Sequence, residues 1–177
     1  MKDNLVKGNS SEEVILVLSL EEIQHILSKS TDREKLIVRI LYETGCTVKE
    51  LTEIQTNDAQ NNSLRINSRL CMISPDTQKI LNNWPRDQKY LLSTRQSEKM
   101  TPRRIRQLLE DLSQRAIAKK ITPHDLRYSH FAHALDRGIS LRSIQERLGL
   151  KTQRTAQIYR IIVGMNKNEY ASMLENV

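Results

Sequence analysis

A chain of 177 residues with 38% hydrophobic and 28% charged residues can bury a core as one domain, without disulfide or metal staples. An aromatic content of only 4% argues against recognition of unpaired bases by stacking, which needs exposed aromatic platforms. The net charge of +7 is concentrated: residues 101–160 hold 13 Lys or Arg against 5 Asp or Glu, while the remainder holds 15 against 16, a pattern that suits a polyanionic partner.

The two cysteines, Cys46 and Cys71, lack CxxC spacing and define neither a disulfide framework nor a zinc site. No apolar run approaches the roughly 20 residues of a membrane span. The opening MKDNLVKGNSSEE has no apolar signal-peptide core. A soluble cytoplasmic protein without a membrane partner is expected.

In chain order, residues 1–17 read as an arm or linker, polar at first and then apolar through Val14-Ile15-Leu16-Val17. Ser19 with Glu22 forms a capping box that opens a short helix carrying Ile23, Ile26 and Leu27 on one face. Thr31 with Glu34 opens a second, striped by Leu36, Ile37, Ile40 and Leu41 and closed by Gly45. Thr47 with Glu50 caps a third, containing Val48, Leu51 and Ile54. After the polar stretch Asn57–Asn62, the runs Leu64–Ile66 and Leu70–Ile73 flank a turn at Asn67-Ser68 and predict a hairpin. Pro75 and Pro102 fit first helical turns, and helices are predicted over 76–84, 103–119, 124–137, 141–148 and 153–163. A last amphipathic segment, 167–177, carries Tyr170, Met173, Leu174 and Val177 and is expected to dock as a helix on its own domain or a neighbouring protomer. The fold class is therefore mainly α with a small β-hairpin or sheet (α+β).

Several segments together resemble the catalytic domain of the tyrosine recombinases, the phage integrase family. Thr122-Pro123-His124-Asp125-Leu126-Arg127-Tyr128-Ser129 is similar to that family's T-P-H-x-L-R-H-[ST]. Ile144-Gln145-Glu146-Arg147-Leu148-Gly149-Leu150 resembles I-Q-x-x-L-G-H, and Thr155-Ala156-Gln157-Ile158-Tyr159 resembles T-T-x-x-Y. Upstream, Ile40 to Leu51 is similar to L-L-Y-x-T-G-x-R-x-S-E-L. One short motif is weak evidence, but these four occur in order and at matching spacing. The resemblance implies a catalytic domain over 18–166 that acts on double-stranded DNA, in recombination or integration, and self-associates there.

In that family a tyrosine attacks a DNA phosphodiester to leave a 3′-phosphotyrosine and a free 5′-hydroxyl, with no metal or nucleotide cofactor. Protein cations hold the non-bridging oxygens of the transition state, and an acid serves the leaving oxygen. Carried onto this sequence, the resemblance makes Tyr159 the nucleophile, Arg127 the second of two arginines and His124 the first histidine. An arginine's planar fork suits bidentate phosphate contact, and His124 lies one turn before Arg127 on the same helical face. Thr47 stands where the first arginine belongs, and Leu150 where a second histidine or a tryptophan belongs. The hairpin lysine is missing, with Arg69 nearest to its place. Lys49, Arg69 and Lys151 adjoin the vacancies and are the candidate substitutes. Thr47 has a local role of its own as a helix cap.

Arg103, Arg104 and Arg106 are the candidate DNA-backbone contacts. His130 and His133 have HxxH spacing but fall outside the matched positions, and no Cys or acidic ligand sits at metal spacing beside them. The departures open a second reading, in which an impaired family member serves as a DNA-binding regulator or accessory subunit. A helical transcription factor with helix-turn-helix spacing around Gly138 would leave the match at residues 40–51 unexplained.

Overall fold

The computed structural model describes residues 5–6, 15–150 and 158. Three helices open on the capping boxes read above: α1 (Leu20–Ser28), α2 (Asp32–Thr44) and α3 (Val48–Glu53). At each start the cap hydroxyl accepts from the glutamate N–H while the carboxylate accepts from the cap N–H. Two N–H groups per helix that would lack an internal partner are thereby satisfied.

α2 is the central helix. Leu36, Ile37, Val38, Ile40, Leu41 and Thr44 are all buried, so it is apolar on most sides and belongs inside. It packs against α1, α3, α4 (Pro75–Asn82), α5 (Pro102–Ile117) and α6 (Pro123–Asp136). Its end is fixed at Gly45, whose φ of +60° is left-handed. A methyl group on Gly45 would also collide with Leu148, so only glycine lets the end of α2 approach α7 (Leu141–Leu148) this closely.

The predicted hairpin forms as β4 (Ser63–Ile66) and β5 (Arg69–Met72), with Leu64 opposite Cys71 and Ile66 opposite Arg69. A third strand, β3 (Ala59–Gln60), pairs antiparallel with β4, giving the order β3-β4-β5. The polar stretch concealed it because two residues cannot show an alternating pattern. Its turn comes from consecutive positive φ values at Asn61 and Asn62, a conformation asparagine tolerates. Upstream, β1 (Leu5–Val6) pairs antiparallel with β2 (Ile15–Leu16), and β2 runs against α6. α5 stops before the predicted residue 119, because Ala118 turns left-handed with φ +54°.

Two hydrophobic clusters result. The larger joins α1 to α5, the sheet and the start of α6, and it includes Leu18, Leu41, Leu64, Leu109 and Leu126. The smaller lies between α6 and α7 and holds Tyr128, Phe131, Ala134, Ile144, Leu148 and Ile158. Ile158 is helical, and the rest of the helix predicted over 153–163 lies outside the described residues. The C-terminal segment 167–177 lies outside the described residues. Among the described residues no helix is long and apolar enough to cross a membrane.

Candidate functional site

The site begins with the abrupt start of α6. Thr122 Oγ1 accepts from the Asp125 N–H, and Asp125 Oδ2 accepts from the Thr122 N–H at 2.7 Å and its hydroxyl at 2.8 Å. Pro123 supplies a first-turn residue with no N–H to satisfy. His124 and Arg127 follow one turn apart with different fates. His124 is exposed, its ring 6.1 Å from that of Tyr128. Arg127 is only 6% exposed.

The Arg127 guanidinium is held by two backbone carbonyls. Nη1 donates to the Gly45 oxygen, and Nη2 donates to the Leu148 oxygen at 2.8 Å. These oxygens close α2 and α7, where the last carbonyls lack helical partners and carry the negative end of the helix dipole. A buried cation is thus matched by two helix C-termini. Burial holds the Arg127 pKa below its ordinary value, with the Glu50 charge opposing that shift. Arginine has five N–H donors, so up to three stay available for another acceptor. Segments separated by 82 and 21 residues in sequence meet at this one side chain.

Glu50 is the second organiser. Its Oε2 accepts from the Thr47 N–H at 2.7 Å and hydroxyl at 3.0 Å, while Oε1 accepts from Asn67 Nδ2 at 3.1 Å and from Arg69 Nη2. Burial alone would raise the Glu50 pKa, but the Thr47 hydrogen bonds and the Arg69 charge outweigh it and hold the carboxyl below its ordinary value. Arg69 Nη1 donates in turn to the Arg147 oxygen, and its side chain covers Gly149, where an added Cβ would lie 3.1 Å from Arg69 Nε. Arg69 therefore clamps the hairpin to the end of α7. The Thr47 hydroxyl is committed to the capping box, and Lys49 is exposed on α3.

Leu150 is half-buried against the smaller cluster. Tyr159 and Lys151 lie outside the described residues, although Ile158, the neighbour of Tyr159, is buried in that cluster. His130 packs against Tyr42 with ring centroids 6.2 Å apart, and burial pushes its pKa down to about 4. Tyr42 Oη lies 2.8 Å from His133 Nδ1. Among the described residues no group of three His, Cys, Asp or Glu side chains is placed to hold a metal. Sequence reading assigned Glu50 only a capping role, and its further bonds to Asn67 and Arg69 come from a hairpin whose register spacing does not reveal.

The basic stretch divides along α5. Arg115 pairs with Glu34, and just beyond the helix Lys119 pairs with Glu22 and Lys120 with Glu110. At the other end Arg103, Arg104 and Arg106 are exposed and form no ion pair among the described residues; Arg104 contacts Gln107 at 3.4 Å. No acidic residue occupies the first turn of α5. Unneutralised charge therefore collects where the helix dipole is already positive.

This arrangement has counterparts among known proteins. The phage integrase family matches residues 17–162. The tyrosine recombinase XerA of Pyrococcus furiosus is 30% identical over 191 aligned positions, covering 98% of this chain and 64% of the relative. The tyrosine recombinase XerC of Corynebacterium glutamicum is 28% identical, covering 72% and 46%. The chain thus spans about half to two thirds of the length of these relatives. A crystal structure of XerA recombinase superposes with a TM-score of 0.76 at 25% identity, covering 95% of this chain and 65% of that one. XerH bound to its difH substrate shares the fold, with a TM-score of 0.71 at 19% identity over 89% of this chain and 53% of that one. With four motifs in order, three of them meeting at Arg127, and a match over most of its length, the chain belongs to the phage integrase family.

Proposed function

We propose that this chain is the strand-cleaving domain of a tyrosine recombinase, acting on double-stranded DNA through a 3′-phosphotyrosine on Tyr159 and self-associating on that DNA. The observation that carries the reading is the convergence at Arg127 of the α2 end, the motif helix α6 and the α7 end. The names of the similar proteins agree with it. In this mechanism Tyr159 Oη attacks phosphorus, the phosphotyrosine bond forms as the bond to the 5′ oxygen breaks, and that oxygen leaves with a proton. Attack by a 5′-hydroxyl reverses the step, so no external energy source is consumed. Arg127, through its remaining N–H groups, and His124 hold the non-bridging oxygens, and Arg103, Arg104 and Arg106 engage flanking phosphates. Lys49, Arg69 and Lys151 are the candidates to replace the absent arginine, histidine and lysine. Of the two that are described, Lys49 is the freer, since Arg69 is already bonded to Glu50 and Arg147.

A second reading, DNA binding with little or no cleavage, is favoured by two observations. The Thr47 hydroxyl is committed to a cap, and Leu150 packs into a core cluster. Loss of an arginine and a histidine at a developing charge costs on the order of 10⁵ in rate, though not additively. One trapping experiment separates the two. A suicide DNA duplex, nicked so that the short 5′-hydroxyl strand diffuses away, is incubated with wild type and with Tyr159→Phe. Covalent protein–DNA adduct in the wild type alone is the expected result. DNA binding without adduct over days would establish the second reading.

A further inference from the structure

The segment leading into α1 is pinned along one face of α6. The Leu16 N–H donates to Asp125 Oδ1 at 3.4 Å and the Leu18 N–H donates to Ser129 Oγ at 2.9 Å, contacts that span 109 and 111 residues. One turn further, His133 Nδ1 lies 2.8 Å from Tyr42 Oη. Asp125, Ser129 and His133 are spaced by four, so they line one stripe of the helix. Their bonding is closed: Ser129, fully buried, also donates to the Asp125 carbonyl at 2.6 Å, and Asp125 also accepts from Thr122. Between the two pinned amides, Val17 packs on the cluster of Tyr128 and Phe131. Arg127 is two residues from both Asp125 and Ser129, about 200° around the helix, and so faces away from the pinned segment.

We infer that Asp125 and Ser129, by clasping residues 16–18, and His133, by its bond to Tyr42, are positioning residues that set the height and rotation of α6 and so hold Arg127 on the Gly45 and Leu148 carbonyls. A shift of α6 by one residue's rise, about 1.5 Å, would stretch the 2.8 Å bond from Nη2 to Leu148 to at most about 4.3 Å, beyond hydrogen-bond range where the shift runs along the bond. The clasp also reaches the other half of that contact. Tyr42 lies on α2 three residues before Gly45, so its bond to His133 ties α6 to the helix end that supplies the Gly45 oxygen. The role assigned to Arg127 at a DNA phosphate rests on the recombinase reading; its placement by the clasp does not.

The test uses the whole chain as wild type, Ser129→Ala, Ser129→Thr and Asp125→Asn. Labelling of Arg127 by an arginine-directed dicarbonyl reagent is followed by mass spectrometry, with half-buried Arg39 as the internal reference. Loss of one buried hydrogen bond should raise Arg127 labelling about fivefold in Ser129→Ala, with Arg39 unchanged. Ser129→Thr, which keeps the hydroxyl, should match the wild type. DNA affinity should hold in Ser129→Ala while phosphotyrosine formation slows about tenfold or more, because a misplaced cation costs rate before it costs binding. Should Ser129→Ala fail to fold, Asp125→Asn decides. Wild-type labelling of Arg127 in whichever of these two variants fold would overturn the clasp. Loss of DNA binding in the wild type, with the labelling difference intact, would instead overturn the recombinase reading and leave the clasp standing.

Discussion

At the corner between α2 and α3, where the family resemblance leads one to expect a phosphate-gripping arginine, stands Thr47, its hydroxyl bonded inside its own helix cap. A threonine offers one rotating donor where an arginine offers a planar fork of five, so the loss is geometric as well as electrostatic. That His124 and Arg127 stand one turn apart was legible in the sequence; that Arg127 is bound to two helix C-termini was not, because its partners are 82 and 21 residues away. His130 is a residue whose environment can be tested by pH. Burial lowers its pKa from 6.5 to about 4, so the folded state resists a proton that the unfolded chain accepts. Its contribution is fully present above pH 6.5 and is lost as pH falls through that value toward 4. His130→Phe should therefore show a shallower loss of stability than wild type between pH 7 and 4.5, measured by denaturant unfolding at each pH. Parallel curves for the two proteins would refute the assignment.

The helix starts announced themselves, since Ser19, Thr31 and Thr47 cap helices as read and Pro75 and Pro102 fall in first turns as expected, while the caps Thr101 and Thr122 came from the structure. The end of α5 did not, because a left-handed alanine leaves no trace in sequence. That left-handed turn is strained for a residue with a Cβ, and glycine relieves the strain at some cost in unfolded-state entropy. Ala118→Gly should raise stability by about 0.5–1 kcal/mol, seen as a higher midpoint in thermal unfolding. A lower midpoint would show that Ala118 has packing not accounted for. The other end of α5 belongs to the DNA question. Net charge could be counted from sequence, but not the pairing of Arg115, Lys119 and Lys120 with glutamates from three separate stretches of chain. Binding should accordingly depend on Arg103, Arg104 and Arg106. With five phosphates contacted, log affinity should fall against log salt with a slope near about −4.5, and charge reversal at the three arginines should weaken binding to every sequence alike. A flat salt dependence would remove them from the interface.

Across the whole molecule, the ends of α2 and α7 interlock at Gly45 and Leu148, and Arg127 is the shared side chain at that junction. The smaller core cluster, which includes Leu148 and Ile158, lies against the same junction, so the neighbour of Tyr159 is anchored beside it. The family resemblance implied that the motifs share one site, but this junction, the clasp on residues 16–18 and the Glu50–Arg69 clamp emerge only once distant segments are brought together. If the frame of a recombinase site persists with one arginine missing, returning that arginine should restore rate. The decisive measurement is single-turnover formation of phosphotyrosine adduct on suicide DNA by wild type and Thr47→Arg. The cap removed by the substitution is worth about 1 kcal/mol, so folding is checked by thermal unfolding of the same samples. The expected result is a rise of about tenfold or more that vanishes when Tyr159→Phe is added. A Thr47→Arg protein that folds, binds DNA and forms adduct no faster than wild type would contradict it.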